Sequence, residues 1–423
     1  MGKNLLIIGN GFDLAQGLPT SYRDFMEFAE AFRYIYTLDN NARVEEYEGH
    51  LRYFDNKENG NYGQIKEQLL TLMASRKAGK AIDGHWNSGC TLSDISSLLD
   101  RMNYDLNDNI WFGYFEGLMT IQKDSQKFRF GSYSSGNSIP GERWVDFEKE
   151  ILYIIRWLDS QELKDDDNVS DISIDQMTLR TEIFKRSVEK NTINELEAGT
   201  PIAEFVNVLY KHLRNFTEAL EIYLGYFVAR LSCDKDGPGI GVMPDYILSF
   251  NYTRNIERFF TGVGICYVHG KCRAESDYDR RESDLVLGIN EYLPDDKKDT
   301  VNVYAIFKKF IQRIRNNNDT TYYKWALEMK DLYENKHEVS DVWVYGHSLD
   351  VTDGDILEQF LKPEYTSVHI FTRKKEPTEA GRLAKNLISI MSEDVMIEKS
   401  SSDSKRLKFI TLPLTVTDQT QME

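Results

Sequence analysis

Proline and cysteine are both scarce in this chain, whose 423 residues include 9 of the first and 4 of the second. With 41% hydrophobic and 12% aromatic residues, so little proline excludes a chain that is disordered throughout, and the length suffices for two domains or for one large domain with an insertion. The cysteines, at positions 90, 233, 266 and 272, make no CxxC pair and no zinc-like spacing with the seven histidines. That excludes a zinc module or a disulfide framework on sequence grounds and fits a reducing compartment. Long apolar runs are missing too. The most apolar stretch, Ile222 to Leu231, contains Arg230 and is too short and too polar to span a bilayer, so no membrane helix is expected. Met1-Gly2-Lys3-Asn4 does not open a secretory signal, and a cytoplasmic protein is expected. Positive charge is in deficit, with 51 Lys and Arg against 68 Asp and Glu, a net −17. This disfavours nucleic acid and anionic lipid, apart from the local basic stretch Lys308 to Arg315, and leaves small molecules and proteins as partners.

What is present is a set of short apolar runs. Asn4 to Ile8 is bounded by glycine and reads as a central strand, and similar runs recur at Tyr246 to Phe250, Ile265 to Val268, Leu285 to Leu287, Val342 to Tyr345 and Val368 to Phe371. Helical patterns lie between several of them, which predicts an α/β protein with a largely parallel sheet. The long interval after the first strand reads mainly as helix. Its clearest segment is Ala203 to Leu231, where Val206, Leu209, Leu213, Phe216, Leu220, Tyr223, Phe227 and Leu231 step by three or four and make one apolar face. Asp55 to Gly63, Gly131 to Gly141 and Lys164 to Asp171 read as exposed loops, and Ser400 to Lys405 as a hairpin tip between Met396-Ile397 and Leu407 to Leu412. The expected division is an α/β domain from residues 1–30 and 235–423, interrupted by a mainly helical subdomain at 31–234.

The residues able to do chemistry follow strands. Gly9-Asn10-Gly11-Phe12-Asp13-Leu14 is a glycine-rich turn after the first strand, leading to Gly17-Leu18-Pro19 and Tyr22-Arg23. Gly9 and Gly11 would let the backbone approach a ligand, with amides at the next helix start facing a pyrophosphate, although many α/β proteins use such a turn merely to reverse the chain. Ser249-Phe250-Asn251-Tyr252-Thr253, Val268-His269-Gly270-Lys271 and Tyr345-Gly346-His347-Ser348-Leu349-Asp350 each follow a later run. In a parallel sheet these tips gather at one edge.

The order of these motifs resembles the sirtuin-type fold, and the whole chain resembles the AbiH family of phage abortive-infection proteins. The sirtuin loop GAGxSxxxGIPxFR is similar to Gly9 to Pro19, the QNxD motif to Phe250-Asn251-Tyr252-Thr253, the HG pair to His269-Gly270 and the GTSL segment to Gly346-His347-Ser348-Leu349. The AbiH resemblance extends through Trp144-Val145-Asp146-Phe147-Glu148 in the insert. It implies a sirtuin-like, Rossmann-type parallel sheet with a large helical insertion. It also implies NAD binding by Gly9, Asn10, Gly11, Phe12, Asp13, Pro19, Tyr22, Thr253, Gly270, Gly346, Ser348 and Leu349, with Asn251 and His269 catalytic. The chain departs from sirtuins at Asp13, at Thr253 and in having Cys272 without a paired cysteine, so deacetylation is not expected.

What the resemblance leaves is binding of NAD or a relative, with hydrolysis of its nicotinamide-ribose bond, and no metal is expected. Asn251 would hold water or a ribose hydroxyl, and His269 would act as base, its imidazole having an ordinary pKa near about 6.5. Asp13 would contact the ligand or cap the following helix; Glu148 would reach the site or flank a packing face; Tyr22 and Arg23 would close over the ligand or pair at the surface. His347 reads as structural and Lys271 as a solvated charge. Two other readings stay open: a nucleotide or ADP-ribose sensor without turnover, and a scaffold whose helical insert binds a phage or host protein. A homo-oligomer is compatible with all three.

Overall fold

The structure is a computed structural model and describes residues 2–37, 44–55, 59–78, 92–125, 146–162, 174–191, 201–233, 241–273, 282–290, 303–372, 377–401 and 404–412. The chain forms two compact units, one from Met1–Leu18, Ser232–Lys271 and Arg313–Glu423, the other from Pro19–Leu231 and Cys272–Gln312. The segment 272–312, which the sequence pattern grouped with the sheet, thus belongs to the second unit.

The first unit is built on six parallel strands, β1 (Asn4–Ile8), β2 (Tyr246–Ser249), β3 (Gly264–Tyr267), β4 (Ser340–Tyr345), β5 (Thr366–Thr372) and β6 (Leu407–Thr411), in the order β3-β2-β1-β4-β5-β6. β1 is apolar from Leu5 to Ile8 because those residues are buried on both faces. Leu5 and Ile7 join a core with Leu248, Val342, Val344 and Val368 on one face, while Leu6 and Ile8 pack with Ile247, Tyr267 and Tyr345 on the other. Helices of this unit supply the rest of the first core through Met329, Phe360 and Leu387, and the second receives Phe12, Ile256 and Phe260.

The helices in chain order are α1 (Asn10–Ala15), α2 (Tyr22–Thr37), α3 (Val44–Asp55), α4 (Gly60–Ala78), α5 (Leu92–Leu106), α6 (Ile110–Ser125), α7 (Phe147–Glu162), α8 (Ile174–Asn191), α9 (Ile202–Ile222), α10 (Lys309–Asn316), α11 (Thr321–Lys336), α12 (Gly354–Leu361), α13 (Pro377–Met391) and α14 (Glu393–Ser400). α2 to α9 lie in the second unit. There α9 is the spine the apolar spacing predicts, continuing through a π turn at Tyr223–Phe227 and a 3-10 turn at Val228–Arg230. Its Phe216, Tyr223 and Phe227 meet Phe25 and Phe28 of α2. Asp24 pins two further helices to this pair: it accepts the hydroxyls of Tyr53 (2.5 Å) and Tyr62 (2.9 Å), and both the amide and hydroxyl of Ser21.

Several local expectations change. Leu285 to Leu287 is buried but forms no strand, because its polar groups are satisfied otherwise: Leu285 N–H donates to Ser283 Oγ (3.1 Å) and Leu287 O accepts Gln312 Nε2–H (2.9 Å). A three-residue apolar run cannot by pattern tell a strand from buried coil. Met396-Ile397 lies in α14, and β6 returns parallel to β5, so Ser400 to Lys405 joins a helix to a strand instead of closing a hairpin. Ser404 Oγ–H sits against Glu398 O (2.6 Å) and Lys399 O (2.8 Å), closing the helix end. Gly60 to Gly63, read as loop, begins α4. The basic stretch is not an open patch: Lys309 is only 2% exposed and pairs with Glu148 (2.7 Å), and Arg313 pairs with Asp355. Cys90, Trp144, Val145 and the stretches Gly131 to Gly141 and Lys164 to Asp171 lie outside the described residues.

Candidate functional site

Register brings the tips of four strands to one level. Ile8 pairs with Ser249 and with Tyr345, and Ser249 pairs with Tyr267, so residues 9, 250, 268 and 346 all leave the sheet at the same carboxyl edge. Strand order reverses between β1 and β4, which is where open α/β sheets form a crevice.

At that reversal two loops meet backbone to backbone. Gly9 N–H donates to Tyr345 O (3.2 Å), Gly11 N–H to Gly346 O (2.8 Å) and Phe12 N–H to Gly9 O (2.9 Å). A Cβ on Gly9 would lie 2.7 Å from His347 Cα, and one on Gly11 2.7 Å from Gly346 Cα. Gly346, at φ +65°, would place its Cβ 2.3 Å from Phe12 N. These glycines are therefore demanded by the contact of the two loops. The open pyrophosphate-facing amides expected here are absent at Gly9, Gly11 and Phe12, whose N–H groups already have backbone partners.

Asp13 does not cap α1: it lies within that helix, whose N-cap position is Gly9 and has no side-chain cap. It is 1% exposed and accepts Thr253 Oγ1–H (2.5 Å) and Asn255 Nδ2–H (3.1 Å), tying α1 to the segment after β2. Burial pushes its carboxyl up to about 6, against the opposing pull of Thr253, Asn255 and Arg258.

His269 follows β3 and is turned by Gly270 at φ +79°. Its Nε2 lies 2.8 Å from Asp353 Oδ1, and the other oxygen, Oδ2, is 3.5 Å from Nε2 of His347. Phe250 sets its ring edge-on to both imidazoles, with centroids 5.5 Å and 4.4 Å away. His347 Nδ1 accepts Leu349 N–H (2.9 Å), so its proton resides on Nε2, facing the carboxylate. Leu349 makes that bond from a left-handed conformation, φ +54°, which costs about 1–3 kcal/mol and is held by complete burial of its side chain. Asp353 was not anticipated: Thr352-Asp353 reads as a helix start, and Asp350 does cap that turn by accepting Thr352 N–H (3.2 Å). His347, which the sequence pattern reads as structural, is part of this group.

Asn251 is held by Ser249 through its backbone, its N–H donating to Ser249 Oγ (3.2 Å). Its side chain is another matter. The residue is 5% exposed, yet neither Oδ1 nor Nδ2 has a hydrogen-bond partner among the described residues. Leaving a buried amide in that condition costs about 1–3 kcal/mol, a cost that proteins usually avoid.

The other expected residues divide. Asn10 opens α1 and is exposed, and Ser348 is half-buried with its carbonyl accepting Asn386 Nδ2–H of α13 (2.9 Å). Pro19 and Tyr22 belong to the second unit, where Pro19 O accepts Tyr223 Oη–H (2.7 Å) and the Tyr22 ring stacks on Phe147 at 4.2 Å. Arg23 lies 5.2 Å from the Tyr53 ring, and Glu148 is engaged by Lys309. Lys271 is exposed beside the Tyr267 ring. Among the described residues no cluster of His, Cys, Asp and Glu has the arrangement of a metal site, and both nitrogens of His347 are committed to other partners.

A doubly wound parallel sheet with buried polar groups at its carboxyl edge defines a Rossmann-like α/β protein. Residues 5–372 match the family described as bacteriophage abortive infection AbiH, and the chain belongs to that family. Membership suggests a role in phage abortive infection. Neither the curated proteins nor the solved structures include a match. No described helix is long and apolar enough to cross a membrane.

Proposed function

We propose that this AbiH protein acts in phage defence by binding NAD at the carboxyl edge of the sheet and hydrolysing its nicotinamide-ribose bond. The observation that carries the reading is the unpartnered, buried amide of Asn251, on the loop next to the strand whose tip bears His269. An amide presents both a donor and an acceptor, as water or a ribose hydroxyl requires. In the reaction, water attacks the anomeric carbon, the bond to nicotinamide breaks and its electron pair leaves with the ring. ADP-ribose and nicotinamide result, and His269 takes the proton released by the water. Asn251 orients the nucleophile or the ribose. The glycine turn shapes the edge by closing on Gly346, so the phosphates are held by other groups of the edge. No metal enters this scheme.

The test is nicotinamide release from NAD by the purified full chain, alone and with extract from phage-infected cells as a source of a protein trigger. Release that is lost in Asn251→Ala and His269→Ala supports the reading. A wild type that binds NAD but never cleaves it supports a sensor of NAD, ADP-ribose or a related nucleotide. The closed glycine turn favours one further reading, a protein-binding scaffold with a structural sheet; defence that survives loss of nucleotide binding would establish it.

A further inference from the structure

We infer that Asp353 is the positioning residue of this site, accepting Nε2–H of His269 with one oxygen while the other faces Nε2 of His347, and so fixing His269 in the tautomer whose lone pair is on Nδ1. The inference rests on the NAD-hydrolysis reading for its catalytic consequence, but its geometry stands apart from it. Asp353 lies in the turn before α12, with its N–H donating to Asp350 O (3.2 Å) and its side chain only 10% exposed. Its two oxygens divide between the histidines, 2.8 Å to His269 and 3.5 Å to His347. The state of His347 is set independently by Leu349 N–H at Nδ1, which leaves Nε2 as the donor toward Asp353. One carboxylate thus bonds to one imidazole, that of His269, and faces the second at ion-pair distance, and Phe250 packs against both rings. Another such pair among the described residues, His369 Nε2 with Asp341 Oδ1 at 2.8 Å, has its carboxylate 44% exposed and its ring stacked on Trp343. Among the described residues, the Asp353 group is the one of the two that is both buried and at the carboxyl edge.

The consequence is chemical. A base that uses Nδ1 becomes an imidazolium when it takes a proton, and a carboxylate already bonded to Nε2–H stabilises that cation without moving. Removing the charge while keeping the shape should weaken the base and leave ground-state binding largely alone.

The experiment has two arms on the full chain. Imidazole nitrogen NMR, with His269 identified from the His269→Gln spectrum, should show His269 protonated at Nε2 in the wild type and a mixture of tautomers in Asp353→Asn. Nicotinamide release by Asp353→Asn should fall about a hundredfold or more in kcat with KM changed less than about threefold, and the acid limb of its pH profile should move to lower pH. His347→Gln, which removes the second imidazole and keeps the first, should cost less. If the wild type shows His269 protonated at Nδ1, the inference fails even if Asp353→Asn does not fold. If the wild type cleaves NAD and Asp353→Asn does so with wild-type kcat and pH profile, it fails as well. If the tautomer depends on Asp353 but no NAD is cleaved, the positioning role stands and the hydrolysis reading falls.

Discussion

Replacing Gly346 by alanine isolates the contact on which the carboxyl edge depends. The residue is at φ +65°, a conformation that costs an L side chain about 1–2 kcal/mol. The new Cβ would also fall 2.3 Å from Phe12 N and 2.4 Å from Gly11 C, both backbone atoms of the facing loop. Neither can rotate away, so the loops must separate, at about 1–3 kcal/mol for overpacking and about 1 kcal/mol for the strained Gly11 N–H to Gly346 O bond (2.8 Å). The total is about 3–6 kcal/mol. At about 2–4 °C per kcal/mol for a unit of this size, the melting temperature should fall by about 6–24 °C. Gly381→Ala is the control: it lies exposed in α13 with nothing within 4 Å of the added Cβ, so it should be neutral or stabilising by up to about 1 kcal/mol. Urea unfolding of the two variants beside the wild type reads the difference. A Gly346→Ala protein within about 0.5 kcal/mol of the wild type would show that the two loops do not pack as described.

Asn251→Leu removes the unpartnered amide and keeps its branched shape, so it should leave stability unchanged or raise it by about 1 kcal/mol while abolishing nicotinamide release; a marked loss of stability on urea unfolding would mean that the amide has a structural partner. Asp13 binds its proton more tightly folded than unfolded, with its carboxyl raised from 3.8 to about 6. The stability it contributes is complete below about pH 4 and is lost as pH rises through about 6, amounting to about 3 kcal/mol. Asp13→Asn cannot titrate, so the stability gap between it and the wild type should shift in the variant's favour by that amount between pH 4 and 7, and a gap independent of pH would refute the burial argument. A chelator should leave nicotinamide release unchanged, because the proton transfer is assigned to the His269 imidazole; loss of release that zinc or magnesium restores would overturn this.

Much of the architecture was legible locally. Five apolar runs, at residues 4–8, 246–250, 265–268, 342–345 and 368–371, match β1 to β5, and the three- and four-residue steps from Val206 to Phe227 match the spine through α9. Such patterns are visible because a buried strand or an amphipathic helix is specified by residues close in sequence. The motifs at Gly9, Asn251, His269 and Gly346 were visible as strand tips, and the AbiH resemblance agrees with the family match over residues 5–372. What the tips do to one another was decided by pairing over long separations. The Asp13 to Thr253 bond spans 240 residues, and the Asp353 to His269 contact spans 84. Neither residue of such a pair alters the local pattern of the other, so no spacing rule could reveal that Asp13 ties α1 to the segment after β2 instead of capping that helix, or that Asp353 joins His269 to His347. The same holds for Gly9 and Gly11. Their sequence fits a phosphate turn and a loop contact equally well, and only the register that brings Ile8 beside Tyr345 made the facing backbone of Gly346 the neighbour that fills their space.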